Sequence, residues 1–290
     1  MFQSFHWNRL AATVFRQEQP YIVFLESDAG VALIPTAIQN GRHLCLLGEE
    51  LFDYRDVLWA GDRCVFAEAW DVVAETGLLL AETPVRGPAA PRHWSAFELA
   101  PFCKAPCVPS SVTSESFAAA HPRAARLIRR LERCGVRMER HRGDNRPLLG
   151  EIYTRKAAPS NDCGGNLFQD PRRADFLLDI AADPRSGCQI FTLESPSALV
   201  AALVTFVDGH VRRFYTTWFN PEWSRYSPGV ALLFEATRLS LADGLGCDYM
   251  TGEQDYKLRL ATDAVPLYRA SGVVPASSRR APETELRAAS

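Results

Sequence analysis

Residues 226–261 read YSPGVALLFEATRLSLADGLGCDYMTGEQDYKLRLA. Ser227-Pro228-Gly229 opens a helix, because proline has the φ of a first helical turn and lacks an N–H that would have no partner there. The apolar spacing that follows predicts helix over 229–244. CDYM, 247–250, is a short strand, and DYKLRLA, 255–261, is a second helix behind a polar turn. The N–H groups near Ser227, Gly229, Val230 and Ala231 stand at the positive end of the first helix, where an anion is stabilised. Ser-Pro-Gly is equally an ordinary helix start that holds no ligand.

Upstream, CQIFTLES, ALVAALVTFVDG and HVRRFYTTWF are β-rich runs, and Asp208-Gly209 between the last two is a hairpin signal. These strands are therefore antiparallel, unlike those of a doubly wound sheet. VRMERH is a further strand, and PLLGEIYTRKA and PRRADFLLDIAAD are helices. The first half opens with a short helix and a meander, YIVFLES and GVALIPTAIQ, joined through Asp28-Ala29-Gly30. RHLCLLG, DVLWA, a helical DRCVFAEAWDVVAET and GLLLAETPV follow. The fold class is α/β (α+β), a mixed, mostly antiparallel sheet flanked by helices. Residues 85–111, VRGPAAPRHWSAFELAPFCKAPCVPSS, read as a Pro-rich connector. The expected organisation is an N-terminal module over 1–110, a C-terminal module over 111–272 and a disordered tail over 273–290, where ASSRRAPETELRAAS lacks apolar periodicity.

The chain has 290 residues, 47% hydrophobic, 23% charged, with a net charge of −2. That suits an ordinary globular protein and gives no general attraction for polyanions. Only Lys104, Lys156 and Lys257 of the 32 basic residues are lysine. The eight cysteines are scattered without zinc-ligand spacing, so no metal is expected, and Cys103 and Cys107 come closest to a pair. Reduced, mostly buried thiols in a cytoplasmic protein are the expectation. MFQSFHWNRLAATVF has no basic region ahead of an apolar core, and no run of about 18 apolar residues follows. A basic amphipathic helix carries Arg123, Arg126, Arg129, Arg130 and Arg133 around Leu127, Ile128 and Leu131. It is either a solvated face or a surface for phosphates, and without interleaved aromatics nucleic acid is the poorer partner.

Antiparallel strands, a loop-to-helix cradle, a strand and a short helix, in that order, resemble the GNAT superfamily of acyl-CoA-dependent N-acyltransferases. More narrowly, 226–261 looks like the CelD-like acetyltransferase domain, a relative of the FemX-like aminoacyltransferases. LLGEELFDYRDVLW, RRLERCGVRM, NLFQDPRRADFL, LVAALVTF and FNPEW stand in the expected order, so the resemblance covers most of 20–271. It implies tandem GNAT-like modules with acetyl-CoA held by the C-terminal one and an acceptor in the cleft between them. Tyr226, Ser227, Gly229, Val230 and Ala231 are the implied cofactor-binding positions. The family's phosphate loop begins with a basic residue or Gln, where this chain has Tyr226; Arg225 lies one residue too early.

Acyl transfer needs a deprotonated amine, a polarised thioester and a proton for the departing thiolate. The resemblance makes Tyr256 the thiolate's proton donor. Glu253, Asp248 and Asp255 are the carboxylates available as base, with Glu253 preferred because it stands on the loop. Asp255 has a competing role as N-cap of a helix starting at Tyr256, and Asp248 one in holding loop amides. Lys257 either pairs with Asp248 or contacts the acceptor. Tyr215 is the candidate cleft-lining residue on the hairpin, while His210 reads as an ordinary turn residue. The expected activity is acetyl transfer to a primary amine, possible acceptors including an amino sugar in cell-surface polysaccharide synthesis. The alternatives are a FemX-like enzyme using aminoacyl-tRNA and a non-catalytic GNAT-fold binding protein.

Overall fold

The computed structural model describes residues 3–48, 51, 53–62, 64–86, 94, 96–158 and 167–273. The tail from 274, Cys163 and residues 87–93 of the Pro-rich stretch lie outside the described residues.

Helix α1 (Phe5–Val14) leads into a hairpin of β1 (Glu18–Ser27) and β2 (Gly30–Gln39). Their register closes at Ser27 opposite Gly30, as the Asp28-Ala29-Gly30 signal predicts. Gly30 has φ +144°, and a Cβ there would meet the Ala60 carbonyl oxygen at 2.1 Å, so only glycine lets β4 (Leu58–Gly61) pair beside it. Strand β3 (His43–Leu46), helix α2 (Cys64–Ala74) and β5 (Leu79–Arg86) complete this part.

Residues 98–108, expected to be connector, form an eleven-residue strand, β6 (Glu98–Val108). Pro101 and Pro106 argued against a strand in the sequence. Both are accommodated, since β6 pairs β12 (Asp263–Gly272) through a register shift and β11 through two residues only. The basic segment is two helices. Thr113 accepts from the Ser116 N–H to cap α3 (Ser114–Ala120), and Pro122 then opens α4 (Pro122–Arg133).

After β7 (Arg137–Arg142) come α5 (Arg146–Ala157) and α6 (Pro171–Ala182), then β8 (Cys188–Ser195), β9 (Ala198–Asp208) and β10 (Val211–Phe219). Helix α7 (Pro228–Ala242), β11 (Gly246–Asp248) and α8 (Asp255–Leu260) are the elements of the opening stretch, and β12 ends the described chain. All twelve strands belong to one sheet, ordered β1-β2-β3-β5-β12-β6-β11-β10-β9-β8-β7, with β4 on β2. Only the β3–β5 and β10–β11 pairs of named strands are parallel.

Strand β9 reads as almost continuously apolar because the sheet is covered on both faces. Ile190, Ala202, Val204 and Phe206 face one core with α1, α2, α5 and α6. Phe191, Ala201 and Leu203 face a second core with α3, α4 and α7. In the first, Trp7 of α1 meets Phe176 of α6 edge-on at 4.8 Å, a contact that contributes about 0.5–1.5 kcal/mol beyond its buried area. Of the seven described cysteines only Cys45 and Cys247 are buried, and Cys64 and Cys134 are exposed, which corrects the expectation of mostly buried thiols. Among the described residues no helix is long and apolar enough to cross a membrane.

Candidate active site

Strands β10 and β11 pair in parallel over three rungs, Val211–Gly246, Arg212–Cys247 and Arg213–Asp248. There β11 ends, while β10 continues to Phe219 past a bulge between Phe214 and Thr216. The strands therefore part immediately beyond the Arg213–Asp248 rung. Asp248 is fully buried; its Oδ1 accepts from the Met250 N–H at 2.9 Å, and its Oδ2 accepts from the Tyr54 hydroxyl and from Arg213 Nη1 at 3.2 Å. The Met250 bond fixes a left-handed turn (φ +62°) that a non-glycine residue adopts only at a cost. Burial opposes charge on Arg213, but Tyr54, Asp248 and Asp208 outweigh it and hold its proton more tightly than usual. Both Asp248 oxygens are thus hydrogen-bonded within the protein, an arrangement that orders the loop.

The next residues meet a segment of the N-terminal half. Thr251 N–H donates to Asp53 Oδ2 at 3.1 Å, and Lys257 Nζ donates to the Thr251 carbonyl at 2.7 Å. Burial raises the Asp53 carboxyl above the ordinary range, outweighing the Thr251 bonds and Lys257. Burial also lowers Lys257, against the pull of Asp53 and Asp248. Lys257 thus braces the loop between two carboxylates. Glu253 is exposed on that loop. Asp255 is not the N-cap: Gln254 is, and Asp255 is the exposed first residue of α8. Tyr256 is half-buried against the second core, its hydroxyl raised by that burial and without a hydrogen-bond partner among the described residues.

At the far end of the opening, a 3-10 turn over Pro221–Tyr226 leads through Ser227 (φ +50°) into α7. The Ser227 N–H donates to the Ser224 carbonyl and the Ala231 N–H to Ser227, at 2.9 and 3.1 Å. Of the expected cradle, the groups left to face a ligand are thus the N–H of Gly229 and Val230. A Cβ on Gly229 would meet only Phe219 Cδ1, at 3.6 Å, so the folded chain itself leaves room there. The guanidinium groups of Arg225 and Arg130 lie 4.8 and 4.6 Å from the centre of the Tyr226 ring. Helix α4 thus delivers a cation beside the loop position where the sequence lacks one.

Tyr215 stands at the bulge, where the strands part, but its hydroxyl donates to the Leu51 carbonyl at 2.9 Å and its ring meets Phe206 edge-on. It ties Leu51 of the N-terminal half to β10 at the bulge. Asp53, Tyr54 and Arg213 are the site residues that sequence reasoning missed, whereas Arg130 belongs to the basic helix for which a phosphate-facing surface was one of the two readings. The polar run Asp53-Tyr54-Arg55-Asp56 between apolar neighbours was the available signal for the first two. Among the described residues no group of three or more His, Cys, Asp or Glu side chains could hold a metal.

A helix start with open N–H groups, beside two strands that part, is the arrangement that a family comparison bears on directly. Residues 120–258 match the acetyltransferase (GNAT) domain family. Residues 120–258 form a GNAT-type acetyltransferase domain. The span takes in α4, β10, α7, β11 and the loop up to Lys257 and Leu258, and so the opening itself. Solved structures resemble this chain over nearly its whole length. The C-terminal domain of a protein described as a lysylphosphatidylglycerol synthetase from Agrobacterium fabrum shares 14% identity, with a TM-score of 0.61 over 90% of this chain and 87% of that one. L-PGS from Bacillus licheniformis shares 14%, with a TM-score of 0.57 over 90% of each chain. FemX shares 8%, with a TM-score of 0.59 over 95% of this chain and 92% of that one. At such identities the likeness establishes a shared GNAT-like fold. No curated protein matches in sequence.

Proposed function

We propose that this chain is an acyl-CoA-dependent N-acyltransferase that transfers an acetyl group directly to a primary amine in a ternary complex. The observation that carries the reading is the opening between β10 and β11. It has the unpaired Gly229 and Val230 N–H groups and Arg130 at one end, and Tyr256, Asp53 and Lys257 toward the other. The donor's diphosphate would lie at the α7 N-terminus, where aligned peptide dipoles and Gly229 favour it.

In this reading the amine nitrogen attacks the thioester carbonyl carbon, the C–N bond forms and the C–S bond breaks. Tyr256 gives its proton to the departing thiolate, and a carboxylate takes the proton lost by the amine. Glu253 and Asp53 are the carboxylates at hand. Asp53 is better matched to proton uptake, because burial holds its carboxyl above the ordinary range. The N-terminal half would then act as a module that completes the acceptor side through Leu51, Asp53 and Tyr54. The CelD-like resemblance makes an amino sugar of a cell-surface polysaccharide the acceptor to try first, in a cytoplasmic reaction.

Isothermal titration of the full chain with acetyl-CoA, followed by thiol release with a panel of amines, tests the proposal. Absence of binding at millimolar acetyl-CoA would sink it. The exposed arginines of α4 beside the opening favour a second reading, transfer from aminoacyl-tRNA. Retention of aminoacyl-tRNA on a filter at low salt, with no acetyl-CoA binding, would select that one.

A further inference from the structure

The open side of β10 is not bare. Asn220 N–H bonds the Val200 carbonyl, and β10 pairs β9 with Trp218 opposite Ala202 and Thr217 opposite Leu203. In an antiparallel ladder bonded and non-bonded pairs alternate, so Trp218 bonds toward β9 while Thr217 turns its N–H and C=O the other way. That side faces the opening, because β11 pairs β10 only as far as Arg213. The Thr217 carbonyl nevertheless has a partner: Lys156 Nζ, from the last turn of α5, donates to it at 3.0 Å with the ammonium 5.7 Å from the Phe168 ring centre.

The same edge leads to the α7 N-terminus, since Phe219 at the end of β10 is the neighbour of Gly229. A ligand with its anion on Gly229 and Val230 and its reacting end near the bulge must run past Thr217. At about 3.3 Å per residue the distance from Phe219 to Tyr215 is about 13 Å, which calls for an extended arm able to bond a strand edge through amides. Lys156 holds the carbonyl such an arm would use.

The geometry points to Lys156 as a displaceable plug: its ammonium leaves the Thr217 carbonyl when the amide-bearing arm of the acyl donor pairs with β10. This rests on the acyl-CoA reading of the same opening. It makes Lys156 a brake on donor affinity, because binding is weakened by the fraction of molecules in which the edge is covered. Met at 156 would keep an unbranched stem against Phe168 and remove the charge.

The chain's three lysines, Lys104, Lys156 and Lys257, make amine footprinting by mass spectrometry readable residue by residue. Acetyl-CoA should raise modification of Lys156 by an acylating reagent several-fold, whereas adenosine 3′,5′-bisphosphate, which lacks the arm, should not. In parallel titrations of the full chain, Lys156→Met should bind acetyl-CoA about tenfold more tightly and the bisphosphate unchanged. If the wild type binds acetyl-CoA while Lys156 labelling and the Lys156→Met affinity stay constant, the plug is wrong and the donor reading stands. Weaker acetyl-CoA binding by Lys156→Met would make Lys156 a ligand contact, and equal tightening for both ligands a general charge effect; either overturns the plug. Absence of acetyl-CoA binding by wild type and variant alike removes the plug and the donor reading together.

Discussion

Arg213 Nη1 lies 3.2 Å from Asp248 Oδ2 across the last rung that joins β10 to β11. The ion pair is buried, with side-chain exposures of 17% and 1%, and Tyr54 from the N-terminal half bonds both partners. It marks where two strands stop pairing, so the opening begins at a fixed point.

Breaking that rung should be costly. Asp248→Leu leaves Arg213 without its buried carboxylate and is expected to cost about 3–5 kcal/mol in urea unfolding, as such removals do. Arg213→Met should cost a similar amount, and the double variant less than the sum of the two. A midpoint for Asp248→Leu within about 0.5 kcal/mol of wild type, the range of ordinary surface changes, would refute the structural role.

Tyr256→Phe separates binding from chemistry. It should lower kcat by about 10²- to 10⁴-fold and leave acetyl-CoA affinity unchanged. Burial holds the hydroxyl above its ordinary value of 10, so the wild-type rate should keep its alkaline plateau through pH 10 before falling. A kcat for Tyr256→Phe within a factor of about three of wild type would remove the residue from proton transfer.

Asp53→Asn and Glu253→Gln distinguish the two candidate bases. The acid limb of the pH–rate profile should disappear in the first and persist in the second. The Asp53 carboxyl is raised above 3.8 in the folded chain, so its contribution to stability is present below that value and is lost as pH rises through the folded pKa. Removing the charge should therefore leave stability at pH 7 equal or higher while activity falls. Lost activity with equal loss of stability would make Asp53 merely structural.

Gly229→Ala tests the anion cradle without disturbing the fold. The new methyl would meet Phe219 at ordinary contact distance, and alanine is favoured over glycine in helices by up to about 1 kcal/mol. Tm should hold or rise while acetyl-CoA affinity drops, and Gly229→Trp should abolish binding. Arg130→Ala should weaken binding and reduce its salt dependence. Unchanged affinity in Gly229→Ala and Arg130→Ala would clear the cradle of a role.

The sequence was most legible where pattern and local chemistry agree. Asp28-Ala29-Gly30 and Asp208-Gly209 gave their hairpins, and Ser227-Pro228-Gly229 gave the start of α7. Strand β6 was hidden by Pro101 and Pro106, and β12 was not read because Pro266 and the polar Asp263, Arg269 and Ser271 mask its alternation. In the site, Asp248 was read correctly as a holder of loop amides. Its partners Tyr54 and Arg213 were not foreseen, since sequence separations of 194 and 35 residues leave no local trace. For Tyr215, only packing reveals that its hydroxyl donates to the Leu51 carbonyl.

Strand β12 lies between β5 and β6 and is antiparallel to both. During synthesis, then, the edge of β5 stays open until about 180 further residues have been made, since its partner begins at Asp263. The middle of the sheet is the last part that can form. Separate expression of 1–110 and 111–272 would leave two unfinished edges, so the halves depend on one another for assembly before they share any chemistry.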